Sequence, residues 1–109
     1  MKLTGKCKED FDKWYVHWVR NQRNDYHKYV NDVLLSKFYR EVNSMQYGVY
    51  LDFFDSVGIY MDITPIINDA SERMYQVYED ENHIISCDTR QEARAAAIEK
   101  ANEIYNNED

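Results

Sequence analysis

Proline occurs once in this 109-residue chain, glycine three times and cysteine twice. So few helix and strand breakers, with 44% hydrophobic residues, exclude a collagen-like, low-complexity or generally disordered chain. Cys7 and Cys87 lie far apart with no CxxC between them, which excludes a disulfide framework and any short-spaced zinc site. No apolar stretch approaches the roughly 18 residues that a membrane span needs. The opening Met1-Lys2-Leu3-Thr4-Gly5-Lys6 runs straight into charged sequence, unlike a signal peptide. Positive charge is scarce as well: 13 Lys and Arg against 20 Asp and Glu give a net charge of −7. A general phosphate-binding surface needs clustered cations, so neither nucleic acid nor membrane is an expected partner. These absences together lead us to expect a cytoplasmic protein with two unpaired thiols.

Catalytic signatures are missing too. The chain has no GxGxxG, no GxxxxGK[ST], no GxSxG and no HExxH, so nucleotide cradling, a hydrolase elbow and a helical zinc site have no support. His17 flanks an apolar stripe, His27 sits in polar sequence and His83 at a hairpin tip; no two share the i, i+4 spacing of helical metal ligands. Cys7 and His17 on one helix would stand roughly 15 Å apart at 1.5 Å per residue, too far for a thiol–imidazole pair. Asp52 and Asp55, with Asp62 just beyond, could do acid–base work or hold a metal if they converged. Solvated charges on an outer helix face explain them at least as well. We therefore expect no catalytic residue, no cofactor and no metal.

What the chain does have is aromatic surplus, including ten tyrosines and two tryptophans. Its length suits one domain, residues 1–109, that hides roughly two-thirds of its unfolded surface without disulfides or metal. Apolar periodicity supplies the elements. Cys7, Phe11, Trp14, Tyr15 and Trp18 draw one stripe on a helix from about Lys6 to Asn21, with Thr4 placed to cap it. A second stripe (Tyr26, Tyr29, Val30, Val33, Leu34, Phe38) predicts a helix from Asp25 to between Arg40 and Asn43. Ser44 then stands at an N-cap position for a third. Met45, Val49, Tyr50, Phe53, Phe54 and Val57 form the predicted buried face of that third helix, with Tyr47 and Leu51 at its flanks and Gly58 as its stop.

After Gly58 the rhythm changes to that of strands. "GIYMDITPII" alternates, with Pro65 fitting a strand end or sheet edge; "NDASER" reads as a loop; "RMYQVYE" and "HIISCDT" read as an antiparallel pair joined through Asp80-Glu81-Asn82. Thr89 and Glu92 form a capping box ahead of a helix running on Ala93, Ala97, Ala101 and Ile104, where small side chains allow close packing on a sheet. The expected fold is α+β: three N-terminal helices, a small antiparallel sheet of two or three strands, and a C-terminal helix packed on the sheet.

The strand–strand–helix end is loosely similar to the close of double-stranded RNA-binding domains. Their last helix opens with a lysine cluster, where this chain has only Arg90 and Arg94, so RNA binding is not expected. Three further segments, "LTGKCKEDFDKWY", "SMQYGVYLDFFDSVGI" and "DTRQEARAAAIEKANEIYN", together resemble a family of small uncharacterised proteins encoded by bacteriophages and prophages. That resemblance implies an accessory protein acting in the cytoplasm of a bacterial host and carries no functional residues with it. The expected function is a small protein-interaction module without catalysis, taking a protein partner or a second copy of itself as a homodimer. Trp14, Tyr15, Trp18, Tyr26 and Tyr29 are its candidate contact residues, with at least one ring of the last four left substantially exposed or covered only by a second copy or a partner. The competing expectations are a small enzyme or ligand-binding domain using carboxylates, and an acidic decoy that mimics nucleic acid.

Overall fold

The computed structural model describes residues 1–22 and 29–108. Along these the elements are α1 (Gly5–Gln22), α2 (Asn31–Tyr39), α3 (Asn43–Ser56), β1 (Met61–Ile67), β2 (Arg73–Glu79), β3 (Asn82–Cys87) and α4 (Arg90–Asn107). The fold is α+β, with α4 lying across the antiparallel sheet β1-β2-β3. Its extents are 54 × 31 × 19 Å. The shortest matches one sheet layer plus one helix layer, each about 10 Å thick.

The sheet follows its sequence pattern closely. Ile63 faces Val77 across the first pair and Tyr75 faces Cys87 across the second, and Met61, Val77 and Cys87 are buried. Alternation sends Asp62, Thr64, Gln76 and Tyr78 to the opposite face. Pro65 falls in β1, an outer strand, where its missing amide leaves no central ladder broken. Within β1, the Asp62 carboxylate accepts the Ile63 amide at 2.9 Å. Asn68 holds the β1–β2 loop by accepting the amides of Ala70 and Glu72 through its side-chain oxygen, at 3.0 and 2.9 Å.

Helix ends show where local reading succeeds and where it fails. Thr89 accepts the Glu92 amide at 3.1 Å, as its capping box predicts, although the Thr89 hydroxyl itself donates to the Glu92 carboxylate at 3.2 Å. At the end of α3, the Gly58 amide reaches the Asp55 carbonyl and the Ile59 amide the Phe54 carbonyl, with Gly58 at φ +82°. This is the double bond pattern of a Schellman stop. Ser44, however, is not the N-cap of α3. The helix starts at Asn43 behind Val42, which supplies no side-chain cap. Nor does the Thr4 hydroxyl cap α1. It accepts from the Asn102 amide group at 3.0 Å, and the cap comes instead from Asn106, whose Oδ1 accepts the Cys7 amide at 2.9 Å. The predicted start of the second helix at Asp25 lies outside the described residues; as described, α2 begins at Asn31 and ends at Tyr39.

The buried face of α3 keeps Tyr50, Phe53 and Phe54 of the expected stripe but takes Gln46 in place of Met45. Gln46, Tyr50, Phe53 and Phe54 are buried, Val49 is half-buried, and Met45 and Val57 are exposed, against expectation. Gln46 can be buried because its side-chain amide donates to the Phe38 carbonyl at 3.2 Å. Ala93, Ala97, Ile98 and Ala101 of α4 are all fully covered, so the alanine run is close packing on the sheet.

Two apolar clusters result. The larger joins Leu3, Cys7 and Phe11 to α3, the sheet and α4; the smaller consists of Val16, Val19 and Leu34, between the far half of α1 and α2. Helix α1 is the spine of both.

Candidate functional site

On α1, the residues Cys7, Phe11, Trp14 and Trp18 follow one another at four, three and four, so they occupy a single face. Cys7 and Phe11 are completely buried on that face, whereas Trp14 and Trp18 are half-buried. Ring contacts explain the change. Phe11 is enclosed by Phe38, Tyr50 and Phe53 at centroid distances of 5.2, 4.9 and 5.4 Å. Trp14 meets Phe53 at 5.5 Å and stacks on Trp18 at 5.7 Å, with the two planes 14° apart. Among the described residues, the rings that Trp18 meets are Trp14 and Tyr15. The face that buries the core thus runs on past Phe53 as a stacked indole pair only partly covered.

Tyr15 turns to the α2 side, where its ring lies 4.7 Å from that of Phe38. Tyr29 precedes α2. Its carbonyl accepts from the Arg20 guanidinium at 2.7 Å, and the Lys37 ammonium lies 5.7 Å from its ring centroid. Tyr15, Trp18 and Tyr29 are each half-buried. Tyr26 lies outside the described residues, as does His27. The structure therefore brings Trp14, Tyr15 and Trp18 together on one helix, with Tyr29 joining Trp18 around the smaller cluster.

The groups considered for chemistry stay apart. His17 is exposed, with its Nε2 3.0 Å from the Asn21 amide nitrogen. His83 pairs its Nε2 with the Ser86 hydroxyl at 3.2 Å and packs edge-on against Tyr78. Asp52, Asp55 and Asp62 are exposed. Partial burial, and then the neighbouring Asp52, raise the Asp55 carboxyl above its ordinary range. Among the described residues, no three His, Cys, Asp or Glu side chains converge as metal ligands would. Cys7 and Cys87 are free and buried. Burial, with help from Asp10, pushes the Cys7 thiol up to about 12; burial, Glu92 and Asp88 raise that of Cys87. A thiol so protonated is a poor nucleophile. Arg90 and Arg94 lie over the rings of Tyr75 and Tyr47, at 4.9 and 5.9 Å, which ties the start of α4 to the sheet and to α3.

Sequence reasoning missed a polar cluster between α1 and the end of α2. Asp12 accepts the Lys8 ammonium at 2.7 Å and the Tyr39 hydroxyl at 2.5 Å, and the Lys8 ammonium also lies 5.2 Å from the Tyr39 ring centroid. The i, i+4 spacing of Lys8 and Asp12 was a usable signal. Nothing local announces Tyr39. On the other side of α1, the Tyr105 hydroxyl donates to Asp10 at 2.5 Å.

No helix among the described residues is long and apolar enough to cross a membrane. Compared with protein-family models, with curated proteins and with solved structures, the chain matches none.

Proposed function

We propose that this chain is a small protein-interaction module, pairing with itself or with a host protein, and that it is an accessory protein of the phage or prophage type working without catalysis in a bacterial cytoplasm. One observation carries the reading: the Trp14–Trp18 stack continues the most deeply buried face of α1 beyond the rings that cover it. Partly covered tryptophans and tyrosines are the residues that most often anchor an interface once a partner seals them from water. The carboxylate-based alternative has less behind it, since Asp52 and Asp55 are exposed and line neither of the cavities between α1 and α2. The acidic-decoy alternative rests on net charge alone.

Light scattering on the eluting protein, together with capture from bacterial lysate by wild type and by Trp18→Ala, tests the proposal. We expect either twice the monomer mass or a captured protein, lost in the variant. A strictly monomeric protein that captures nothing in a Trp18-dependent way would overturn it.

A further inference from the structure

The sheet has two outer edges, and only one of them is guarded. Beyond the ends of β1 and β2 the ladder continues: the Asp80 amide donates to the Tyr60 carbonyl at 2.7 Å, and the Asn68 amide to the Glu72 carbonyl at 2.9 Å. Both bonds join even-numbered residues, in the register that sets Ile63 opposite Val77. Bonded and non-bonded pairs alternate along an antiparallel ladder, so the odd-numbered residues of β1 turn their amides and carbonyls outward. At those positions Pro65 has no amide, and the Ile63 amide is taken by the Asp62 carboxylate at 2.9 Å. The middle of the β1 edge therefore offers no free donor, which hinders a further strand from adding there.

The β3 edge is the opposite case. The same alternation gives the odd-numbered residues of β2 to β3, so Val77 bonds Ile85 and Tyr75 bonds Cys87. Ile84 and Ser86 then present amide and carbonyl to the outside, and among the described residues no hydrogen bond reaches these backbone groups. The strand, Asn82-His83-Ile84-Ile85-Ser86-Cys87, holds no proline, lysine, arginine or carboxylate to blunt it. Ile85 is 45% exposed although its partner Val77 is completely buried. A strand laid along β3 pairs the open amides and carbonyls and covers Ile85.

Charge indicates which strand. Exposed carboxylates stand at both ends of β3: Asp80 and Glu81 in the turn that leads into it, and Asp88 directly after it. The nearest cations are engaged or set back. Arg90 lies over the Tyr75 ring at 4.9 Å, and Arg73 belongs to the central strand. A second copy fits poorly. Antiparallel pairing of two β3 strands lays Asp80 and Glu81 of each near Asp88 of the other, in chains of net charge −7. We propose that the β3 edge is a strand-addition site for an extended segment of another protein, β-branched in its middle and carrying Lys or Arg at its ends. Backbone bonds at Ile84 and Ser86 supply the attraction, and the flanking carboxylates select against acidic segments. The edge shares no residue with the indole pair on α1, so the two surfaces are tested separately.

The probe is a synthetic peptide of alternating Val and Thr between paired lysines, and the readout is amide hydrogen exchange. We expect the peptide to slow exchange at Ile84 and Ser86 and to leave β1 unchanged. A counterpart ending in glutamates should bind about tenfold more weakly, with the difference shrinking as salt is added. Ser86→Pro removes one outward amide and no ladder bond, as Pro65 does in β1, so this variant should fold and lose the peptide. Methylating the backbone nitrogens of the lysine peptide should abolish binding to the unaltered protein, an outcome that needs no variant to fold. Trp18→Ala should bind the peptide as the wild type does. Unslowed exchange at Ile84 and Ser86, or equal binding of the lysine and glutamate peptides, overturns the proposal. So does a doubled mass that protects Ile84 and Ser86 without peptide, since the edge then belongs to a second copy.

Discussion

Asn106 caps a helix that begins about a hundred residues earlier in the chain: its Oδ1 accepts the Cys7 amide at 2.9 Å, while its Nδ2 donates to the Thr4 carbonyl at 2.9 Å. Asn102, one turn earlier on α4, accepts the Thr4 amide at 2.9 Å, so the last two turns of α4 hold the first turn of α1. An N-cap is worth about 1 kcal/mol whether its side chain comes from the same helix or from another. Asn106→Ala should therefore lower stability by about 1–2 kcal/mol, because it removes both the cap and the hydrogen bond to the Thr4 carbonyl. Asn106→Asp, which keeps the acceptor and places a charge at a helix N-terminus, should recover part of the loss. Urea unfolding of the three proteins measures both effects; unchanged midpoints would show that α1 is held elsewhere.

Thr89→Ala tests the local counterpart. It removes the acceptor of the Glu92 amide and should cost about 1 kcal/mol by the same measurement. A larger loss than that of Asn106→Ala would mean that the link between the chain ends contributes less than an ordinary cap.

The two caps also show what was legible in the sequence. Thr89 and Glu92 are three apart, so the start of α4 could be read from four letters. The alternation of β1, the short connection into β3 and the alanine face of α4 were equally local. The cap of α1 depends on a residue at the far end of the chain, so a local reading assigns it to Thr4. Ser44 looks like the cap of α3 by residue type, yet α3 starts one residue sooner, behind Val42. Met45 turns outward and Gln46 inward, and the burial of Gln46 rests on the Phe38 carbonyl of another helix. The indole pair was legible as a face, and its stacking was not. How much of that face is covered depends on where Phe53 sits, which no spacing on α1 reveals. The Asp12 network joins α1 to the end of α2 through Tyr39, and only its Lys8 arm had a local signature.

Two glycines, one inside α3 and one just past its end, should respond in opposite directions. Gly48 lies inside the helix with nothing within 4 Å of where a Cβ would stand, so Gly48→Ala should stabilise by about 0.5–1 kcal/mol. Gly58 has equal room but a φ of +82°, which an L side chain adopts at a cost of about 1–2 kcal/mol. Gly58→Ala should therefore destabilise. Thermal midpoints that move the same way in both variants would contradict this.

Alkali should unfold the protein earlier than an ordinary tyrosine-rich protein. The Cys7 thiol and the Tyr50 phenol, both fully buried, are each pushed up to about 12 by burial, from ordinary values of 9.0 and 10.0. The unfolded chain therefore releases these protons first as pH rises. Fewer protons on the unfolded state give stability a negative slope with pH, starting near pH 9 and flattening near pH 12. With both groups contributing, the slope near pH 11 should reach about 2–3 kcal/mol per pH unit. Tyr50→Phe should remove its share of that slope, and Cys7 should resist thiol reagents at neutral pH until the protein unfolds. Denaturant midpoints measured from pH 8 to 11 that stay level would count against the burial of both groups.

Phe11 and Trp18 occupy the same face of α1 and should fail differently. Phe11 is completely buried among Phe38, Tyr50 and Phe53, so Phe11→Ala should cost about 3–5 kcal/mol, by transfer and by the cavity left behind. Trp18 is half-buried, with ring contacts to Trp14 and Tyr15, so its truncation removes less covered area from the monomer. Trp18→Ala should cost roughly half as much or less, since the stabilisation scales with the apolar surface taken from water. If the indole pair anchors a partner, the larger effect of this variant appears in association, as a loss of dimer mass or of a captured protein while the monomer stays folded. Tryptophan fluorescence should follow the same logic. In the wild type, both rings are shielded from acrylamide once the partner binds. In the variant, Trp14 has no stacking partner, becomes more accessible to the quencher and gains no shielding when the partner is added. A Trp18→Ala protein as unstable as Phe11→Ala, with association unchanged, would place the indole in the core and remove the interface from α1.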